Sequence, residues 1–197
     1  MKIYITNTAS IGQRCKDWAI NNLPSKMLIE ENMENCDIFI SVFYNKIVSA
    51  EFIAARKKCF NFHGGILPEY RGSGTINFAI INGEKETGIT LHEIDAQIDH
   101  GPVIDIQKTP ILESDTAENL YKKMENIIFE MFQKWFIRLV NFDYKVIPQN
   151  HSIAKLYTRK DLQRAKDVSR LARAFTFYDK EKAFYINNKG KKIYLEY

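Results

Sequence analysis

The chain has 197 residues, of which 45% are hydrophobic, 13% aromatic and 26% charged. This composition predicts a folded domain with a sizeable core. It argues against a disordered chain, and also against a membrane-spanning helix, because no apolar run approaches the length of a bilayer span. Three cysteines without CxxC spacing argue against a disulfide framework and a structural zinc site, and they favour a reducing, cytoplasmic location.

The formal net charge of +4 is unevenly distributed along the chain. From Lys155 to the end, twelve Lys and Arg residues stand against five Asp and Glu residues. A basic tail of this kind suits a partner that carries phosphates, either a nucleotide or a nucleic acid, and it is equally typical of a solvated face. The charge alone leaves these alternatives open.

The first third of the chain alternates predicted strands and helices. Hydrophobic spacing predicts a strand over 2–6 and a helix over 11–23. The nearly continuous apolar run 36–44 is typical of a strand buried on both faces of a parallel sheet. A short helix over 49–58 and a strand over 59–63 then complete a strand–helix–strand unit, which indicates the α/β class.

A polar loop rich in Gly and Pro, residues 64–75, separates this unit from the rest of the chain. The pattern after it predicts a short helix over 76–83 and two strands over 87–94 and 102–111. Because only a short loop separates these two strands, we expect them to pair antiparallel.

The strongest helical pattern lies over 114–141, where Ser114 or Asp115 offers an N-cap. Pro148 marks a boundary, and a basic helical stretch over 160–175 follows it. The apolar positions of the long helix form one stripe, which we interpret as core: Leu120, Met124, Ile127, Ile128, Met131, Phe132, Trp135 and Leu139. Two aromatic strands flank Asn187-Asn188-Lys189-Gly190, which predicts a hairpin.

The candidate catalytic residues lie where the predicted strand 59–63 ends. Asn61 and His63 are two residues apart and therefore share one face of that strand. Ligands of open α/β sheets bind outside the carboxyl ends of the strands. A histidine there can act as a general base, and a nearby amide can donate to a developing oxyanion. Asp95 or Asp99 could supply the carboxylate that orients the histidine.

Each of these residues also has a structural interpretation. A histidine at a strand end is more often part of the structure than catalytic, and Asp95 and Asp99 could form turns. His92 and His100 together with these two carboxylates could suggest a metal site, but their spacing matches no compact ligand pair, and we predict no metal.

Residues 60–104 resemble the folate-dependent formyltransferases, which include glycinamide ribonucleotide, methionyl-tRNA and nucleotide-sugar formyltransferases. That family carries the motif N-x-H-x-x-x-L-P-x-x-R-G, then a G-x-T-x-H strand and a D-x-G-P turn. The matching residues here are Asn61, His63, Leu67-Pro68, Arg71-Gly72, Gly88, Thr90, His92 and Asp99-His100-Gly101-Pro102.

The resemblance implies a trimmed Rossmann-like core with a mainly parallel sheet over 1–150, and a C-terminal helix and hairpin over 151–197 that could serve dimerisation. It also implies which residues carry the function. The implied catalytic residues are Asn61, His63 and Asp99; the implied residues for 10-formyltetrahydrofolate are Tyr44, Asn45, Lys46, Ile47 and Asp95; and those for the acceptor are Gly65, Leu67, Tyr70 and Arg71.

The C-terminal segment is similar to the end of the nucleotide-sugar N-formyltransferases. This similarity implies formyl transfer to the amine of a nucleotide-linked, dTDP-type amino sugar. It further implies a cytoplasmic homodimer that acts in lipopolysaccharide or surface polysaccharide biosynthesis. We expect this enzyme to need no metal ion and to bind neither nucleic acid nor membrane. Glycinamide ribonucleotide or methionyl-tRNA as acceptor, and a non-catalytic folate- or nucleotide-binding module, remain alternatives.

Overall fold

The computed structural model describes residues 1–158, 167–177 and 181–195. The strands are β1 (Lys2–Ile5), β2 (Leu28–Ile29), β3 (Ile38–Val42), β4 (Lys58–His63), β5 (Arg71–Gly72), β6 (Glu86–Glu93), β7 (Val103–Pro110), β8 (Leu156–Tyr157), β9 (Phe184–Ile186) and β10 (Lys192–Tyr194). The helices are α1 (Ser10–Asn22), α2 (Ala50–Ala54), α3 (Thr75–Asn82), α4 (Ala117–Val140) and α5 (Val168–Phe175). Within these residues, no helix combines the length and apolar character that a membrane crossing needs.

A six-stranded sheet in the order β2-β1-β3-β4-β6-β7 forms the centre of the fold. The first four of these strands run parallel, whereas β6 and β7 are antiparallel to their neighbours. The predicted α/β class, the mainly parallel sheet and the antiparallel pairing of the two later strands are therefore confirmed. In the register of β4 with β6, Asn61 lies opposite His92 and His63 lies opposite Thr90.

The two faces of the sheet carry separate apolar clusters. Because side chains alternate along a strand, Ile38 and Ile40 face the main core while Phe39 faces the other side. Helices α1 and α4 cover the main core, and Trp18 of α1 meets Phe132 of α4 edge to face with ring centroids 6.1 Å apart. On the opposite side, Phe52 of α2 packs against Phe39.

The predicted apolar stripe of the long helix is confirmed as core, but its predicted N-cap is wrong. The helix begins at Ala117, and its N-cap is Thr116, whose hydroxyl accepts a hydrogen bond from the backbone N–H of Asn119 at 3.3 Å. Ser114 is exposed two residues further out. The carboxylate of Asp115 instead accepts from the backbone N–H of Leu112 and pairs with Lys123, and it does not cap the helix.

The segment after Pro148 returns to the body of the protein. Strand β8 pairs in parallel with β5, a pairing that the sequence did not predict because each strand has two residues. Helix α5 covers the last part of the predicted stretch 160–175, of which residues 160–166 lie outside the described residues. It packs against α3, where Asn77 donates to the carbonyl of Ala174 at 2.5 Å. The predicted hairpin is confirmed as β9 and β10.

Candidate active site

Asn61 and His63 project from the same face of β4, and strands β3 and β6 supply polar neighbours to Asn61. The Oδ1 atom of Asn61 accepts a hydrogen bond from the Ser41 hydroxyl at 2.7 Å. Its Nδ2 atom lies 3.2 Å from His92 Nε2 and 3.2 Å from Asp99 Oδ1. The amide of Asn61 is thus held with its oxygen toward β3 and its donors toward β6 and Asp99.

The tautomer of His92 supports this orientation. His92 Nδ1 lies 2.7 Å from the carbonyl oxygen of Glu93, and because a carbonyl can only accept, Nδ1 donates. In the neutral ring, Nε2 therefore carries the lone pair that accepts from Asn61, and this atom also lies 3.5 Å from Asp99 Oδ1. The predicted catalytic residue Asn61 is fixed by two groups, Ser41 and His92, to which the sequence interpretation gave no such role.

His63 is 7% exposed, and its two ring nitrogens face different groups. Nε2 lies 2.6 Å from the carbonyl oxygen of Tyr70 and must donate to it, so Nδ1 is the basic atom of the neutral ring. Nδ1 lies 3.4 Å from Asp99 Oδ2. Burial lowers the pKa of His63 below its ordinary 6.5, against the opposing effect of Asp99, so the ring is neutral near pH 7.

Asp99 enters the site from the loop between β6 and β7. Its backbone has a φ of +47°, which is unusual for a residue other than glycine. Besides Asn61, the backbone N–H of Gly72 donates to its carboxylate, at 2.9 Å from Oδ2. Burial by itself would raise the pKa of Asp99, but His63, His92 and the Gly72 amide together lower it below its usual range, so the carboxylate is ionised.

The predicted folate-binding residues lie in two loops. Tyr44 is half-buried beside Phe39, and Asn45, Lys46 and Ile47 follow it as exposed residues between β3 and α2. Since β3 and β4 are parallel, this loop leaves the same sheet edge at which β4 ends. Asp95 lies in the loop that carries Asp99 and binds His100, with 2.6 Å between Oδ2 and Nδ1.

The predicted acceptor-binding residues lie in the loop after β4. A Cβ atom at Gly65 would come within 2.9 Å of His63 Nε2, so glycine lets this backbone pass close to the imidazole. Leu67 is buried, and its backbone N–H donates to the Thr90 hydroxyl at 3.2 Å. The half-buried Tyr70 donates its hydroxyl to Glu84 at 2.6 Å.

Arg71, the fourth predicted acceptor residue, is 9% exposed, and its guanidinium contacts the segment after Pro148. It donates to the side-chain oxygen of Gln149 and lies 2.7 Å from His151 Nδ1. The sequence interpretation missed Gln149, because an isolated glutamine about eighty positions away carries no periodic or motif signal.

The arrangement provides a neutral base, an oriented amide donor and an ionised carboxylate around one position. Such a set can accept a proton from an attacking amine and stabilise a developing oxyanion, which is the chemistry of acyl transfer. Within residues 1–158, 167–177 and 181–195, no three His, Cys, Asp or Glu side chains are placed to hold a metal ion together.

Comparison with known proteins gives a family match over more than half of the chain. A profile described as formyl transferase matches residues 15–134. The bifunctional polymyxin resistance protein ArnA of Wigglesworthia glossinidia brevipalpis is 45% identical over 89 residues, which cover 45% of this chain and 14% of that protein. The chain thus matches a small part of the length of this curated relative.

Solved structures share the fold over nearly the whole chain. A 4-N formyltransferase from Francisella tularensis superposes with a TM-score of 0.82 at 19% identity, over 99% of this chain and 97% of that one. The N-formyltransferase from Helicobacter canadensis, in complex with folinic acid and dTDP-3-aminofucose, gives a TM-score of 0.74 at 23% identity, over 100% of this chain and 91% of that one.

Proposed function

This chain belongs to the formyl transferase family, and we propose that it transfers the formyl group of 10-formyltetrahydrofolate to the amine of a nucleotide-linked, dTDP-type amino sugar. The observation that carries the proposal is the meeting of Asn61, His63 and Asp99. The carboxylate of Asp99 lies 3.2 Å from Asn61 Nδ2 and 3.4 Å from His63 Nδ1, at the end of β4. A neutral base beside an oriented amide donor is what amine formylation requires.

In this mechanism His63 moves the proton. The amine nitrogen attacks the formyl carbon, and Nδ1 of His63 takes the proton that the amine loses. As the bond from the formyl carbon to the folate nitrogen breaks, His63 returns that proton to the leaving nitrogen. Once His63 is protonated, both of its N–H groups face acceptors, the Tyr70 carbonyl and Asp99.

Asn61 and Asp99 stabilise the charges that develop during the reaction. The N–H of Asn61 that contacts Asp99 in the free protein turns to the negative charge that develops on the formyl oxygen, a contribution that is often the largest single one in acyl transfer. Asp99 stabilises the protonated His63 and holds an ordered water beside it.

The two substrates use different loops around this centre. The formyl donor contacts Tyr44, Asn45, Lys46, Ile47 and Asp95, of which Asn45, Lys46 and Ile47 are exposed on the loop after β3 and accessible to a ligand. The acceptor lies along the loop after β4, which carries Gly65, Leu67, Tyr70 and Arg71; Leu67 and Arg71 are buried and shape this loop from below. The folinic acid and dTDP-3-aminofucose in the Helicobacter canadensis complex support this choice of substrates, and so does the similarity of the basic C-terminal segment to nucleotide-sugar enzymes.

The product is a formamido sugar nucleotide, which suits a cytoplasmic step of lipopolysaccharide or surface polysaccharide synthesis by a homodimer. No metal ion takes part, because proton transfer and oxyanion stabilisation suffice for formyl transfer from folate. Turnover is therefore expected to survive dialysis against a chelator. Loss of turnover that a divalent ion restores would contradict the metal-free mechanism.

A panel of acceptors tests the proposal. The purified chain is incubated with 10-formyltetrahydrofolate and, in separate reactions, dTDP-3-amino and dTDP-4-amino sugars, a UDP-amino sugar, glycinamide ribonucleotide and methionyl-tRNA. Tetrahydrofolate release and the mass of the formylated acceptor are measured. We expect turnover with a dTDP-amino sugar. Turnover confined to glycinamide ribonucleotide or the tRNA would replace the proposal, and folate binding without any turnover would indicate a binding module.

A further inference from the structure

We propose that Gln149, which lies outside the catalytic trio, is a positioning residue that holds the Asp99 loop in its reactive conformation. This inference rests on the proposed function. Gln149 follows Pro148 and is 8% exposed. Its Nε2 atom donates to the carbonyl of Asp99 at 2.9 Å and to the carbonyl of Gly101 at 2.7 Å. A single buried amide thus holds both ends of the turn that presents the Asp99 carboxylate.

Arg71 fixes which way the Gln149 amide points. The Nε and Nη2 atoms of Arg71 donate to Gln149 Oε1 at 3.2 and 2.6 Å. Because a guanidinium has donors and no acceptor, the amide oxygen must face Arg71 and the amide nitrogen must face the loop. His151 accepts from the Nη2 atom of Arg71 at 2.7 Å, which holds the guanidinium from another side.

Gln149 holds the backbone of Asp99 in a conformation that is unfavourable for most residues other than glycine. Asp99 has a φ of +47°, in a region that costs energy for residues with a Cβ atom. The Asp99 carboxylate must nevertheless meet Asn61 and His63. Hydrogen bonds to the carbonyls of Asp99 and Gly101 offset that cost without touching the carboxylate itself.

The residues after Pro148 also position Gly72, whose backbone N–H donates to Asp99. The backbone N–H of Gly72 binds the carboxylate, and Gly72 lies in β5, which pairs with Leu156 and Tyr157 of β8. Residues 149–157 therefore hold both the Asp99 loop and the strand that donates to it. The catalytic centre, which the sequence locates in residues 60–104, is completed by a segment that starts after Pro148.

Displacement of Asp99 has a measurable effect on His63. The titratable side chains that face His63 are Asp99 and His92; Asp99 raises the pKa of His63, whereas burial and His92 lower it. If the carboxylate moves away while the ring stays buried, the pKa of His63 falls, because the group that favours its protonated form is lost. A residue that only stabilises the fold would change the amount of active protein and leave this pKa where it is.

Two near-isosteric variants separate the two sides of the amide. Gln149→Glu keeps the contact with Arg71 but places an oxygen against the carbonyls of Asp99 and Gly101, and Gln149→Met removes both contacts without adding charge. The control Asn150→Asp adds the same charge one residue away, at an exposed N-cap that tolerates aspartate. We expect both Gln149 variants to lose about 10- to 100-fold in kcat. The KM for folate should stay within about twofold, and the control should behave as wild type.

A second measurement does not depend on turnover. The chain has four histidines, so an NMR titration of labelled imidazoles in wild type and Gln149→Met can follow His63, assigned with a His63→Gln sample. We expect the pKa of His63 to be lower in Gln149→Met. Failure of the proposed function would leave wild type inactive with every acceptor but would not affect this titration.

Two outcomes would overturn the inference. One is an unchanged His63 titration in a folded Gln149→Met protein. The other is a Gln149→Glu variant with wild-type kcat, since that would show that Gln149 serves Arg71 and not the loop.

Discussion

The position of one proton on His63 determines how this site can work. With Nε2 bound to the Tyr70 carbonyl, the ring can exchange a proton only through Nδ1, the atom that faces Asp99 at 3.4 Å. The neutral ring leaves a lone pair opposite a carboxylate, which is an unfavourable contact. Protonation turns it into an ion pair in a buried place. Burial keeps the ring neutral at rest, and Asp99 stabilises the proton that the ring gains during the reaction.

Removal of either partner of this pair should abolish turnover while the protein stays folded. For His63→Ala we expect a loss of about a hundred- to ten-thousand-fold in kcat, the usual contribution of a general base. For the carboxylate, Asp99→Asn is a better test than Asp99→Ala, because asparagine tolerates a positive φ and can still accept from Gly72. Tetrahydrofolate release measures kcat, and thermal unfolding checks the fold. A near-normal kcat in either variant would show that the assignment of the catalytic residues is wrong.

The pH dependence follows from burial of the same ring. A general base works when it is neutral, so the rate is lost as the pH falls through the pKa of His63. Burial places that pKa below 6.5, and we expect kcat to be flat near pH 7 and to decline only on the acid side of pH 6.5. The profile is measured at saturating acceptor. A decline that starts above pH 7 would mean that another group is the base.

The start of α4 gives a test at the level of one element. The hydroxyl of Thr116 caps the helix, whereas Ser114 is exposed. Thr116→Ala should therefore lower the free energy of unfolding by about 1 kcal/mol, and Ser114→Ala should leave it unchanged. Denaturant unfolding of the two variants measures both values. If Ser114→Ala lowered the free energy of unfolding as much as Thr116→Ala or more, Ser114 would be the N-cap, as the sequence predicts.

Elements with a strong local pattern could be predicted from the sequence, and elements made by distant pairing could not. The continuous apolar run around β3 and the 3.6-residue apolar stripe of α4 are both local patterns that a sequence window detects. The pairing of β5 with β8 joins residues 71–72 to 156–157 through two residues a strand, too few for any period. The antiparallel pairing of β6 with β7 could be predicted because a short loop connects the two strands.

The same limit applies to the candidate site. Asn61, His63 and Asp99 lie within one stretch of motif, and the structure brings all three together. Ser41, which orients Asn61, is a polar residue inside an apolar run, and that exception was the one available signal. Gln149 has no such signal, since its role arises only when the chain after Pro148 folds back onto the loop at Asp99.

At the scale of the whole molecule, the C-terminal hairpin leaves three large apolar side chains uncovered. Tyr185, Ile186 and Tyr194 are 54%, 56% and 48% exposed. Strands β9 and β10 pair with each other, and in the described part of the chain no third strand joins them. A two-stranded hairpin is marginal in water by itself, so its persistence calls for a covering surface.

A second copy of the chain is the covering surface that we expect, because a two-fold axis would place each hairpin against its mate and bury both aromatic faces at once. Deletion of residues 183–197, which include Tyr197 outside the described residues, should convert a dimer into a monomer. The chemistry of Asn61, His63 and Asp99 should remain, since their side chains bond to groups between Ser41 and Asp99 and not to the deleted strands. Light scattering at micromolar concentration measures the state of the intact protein. A mass near the 23.0 kDa of one chain would contradict the dimer and would leave the body of the same chain as the surface that covers the hairpin.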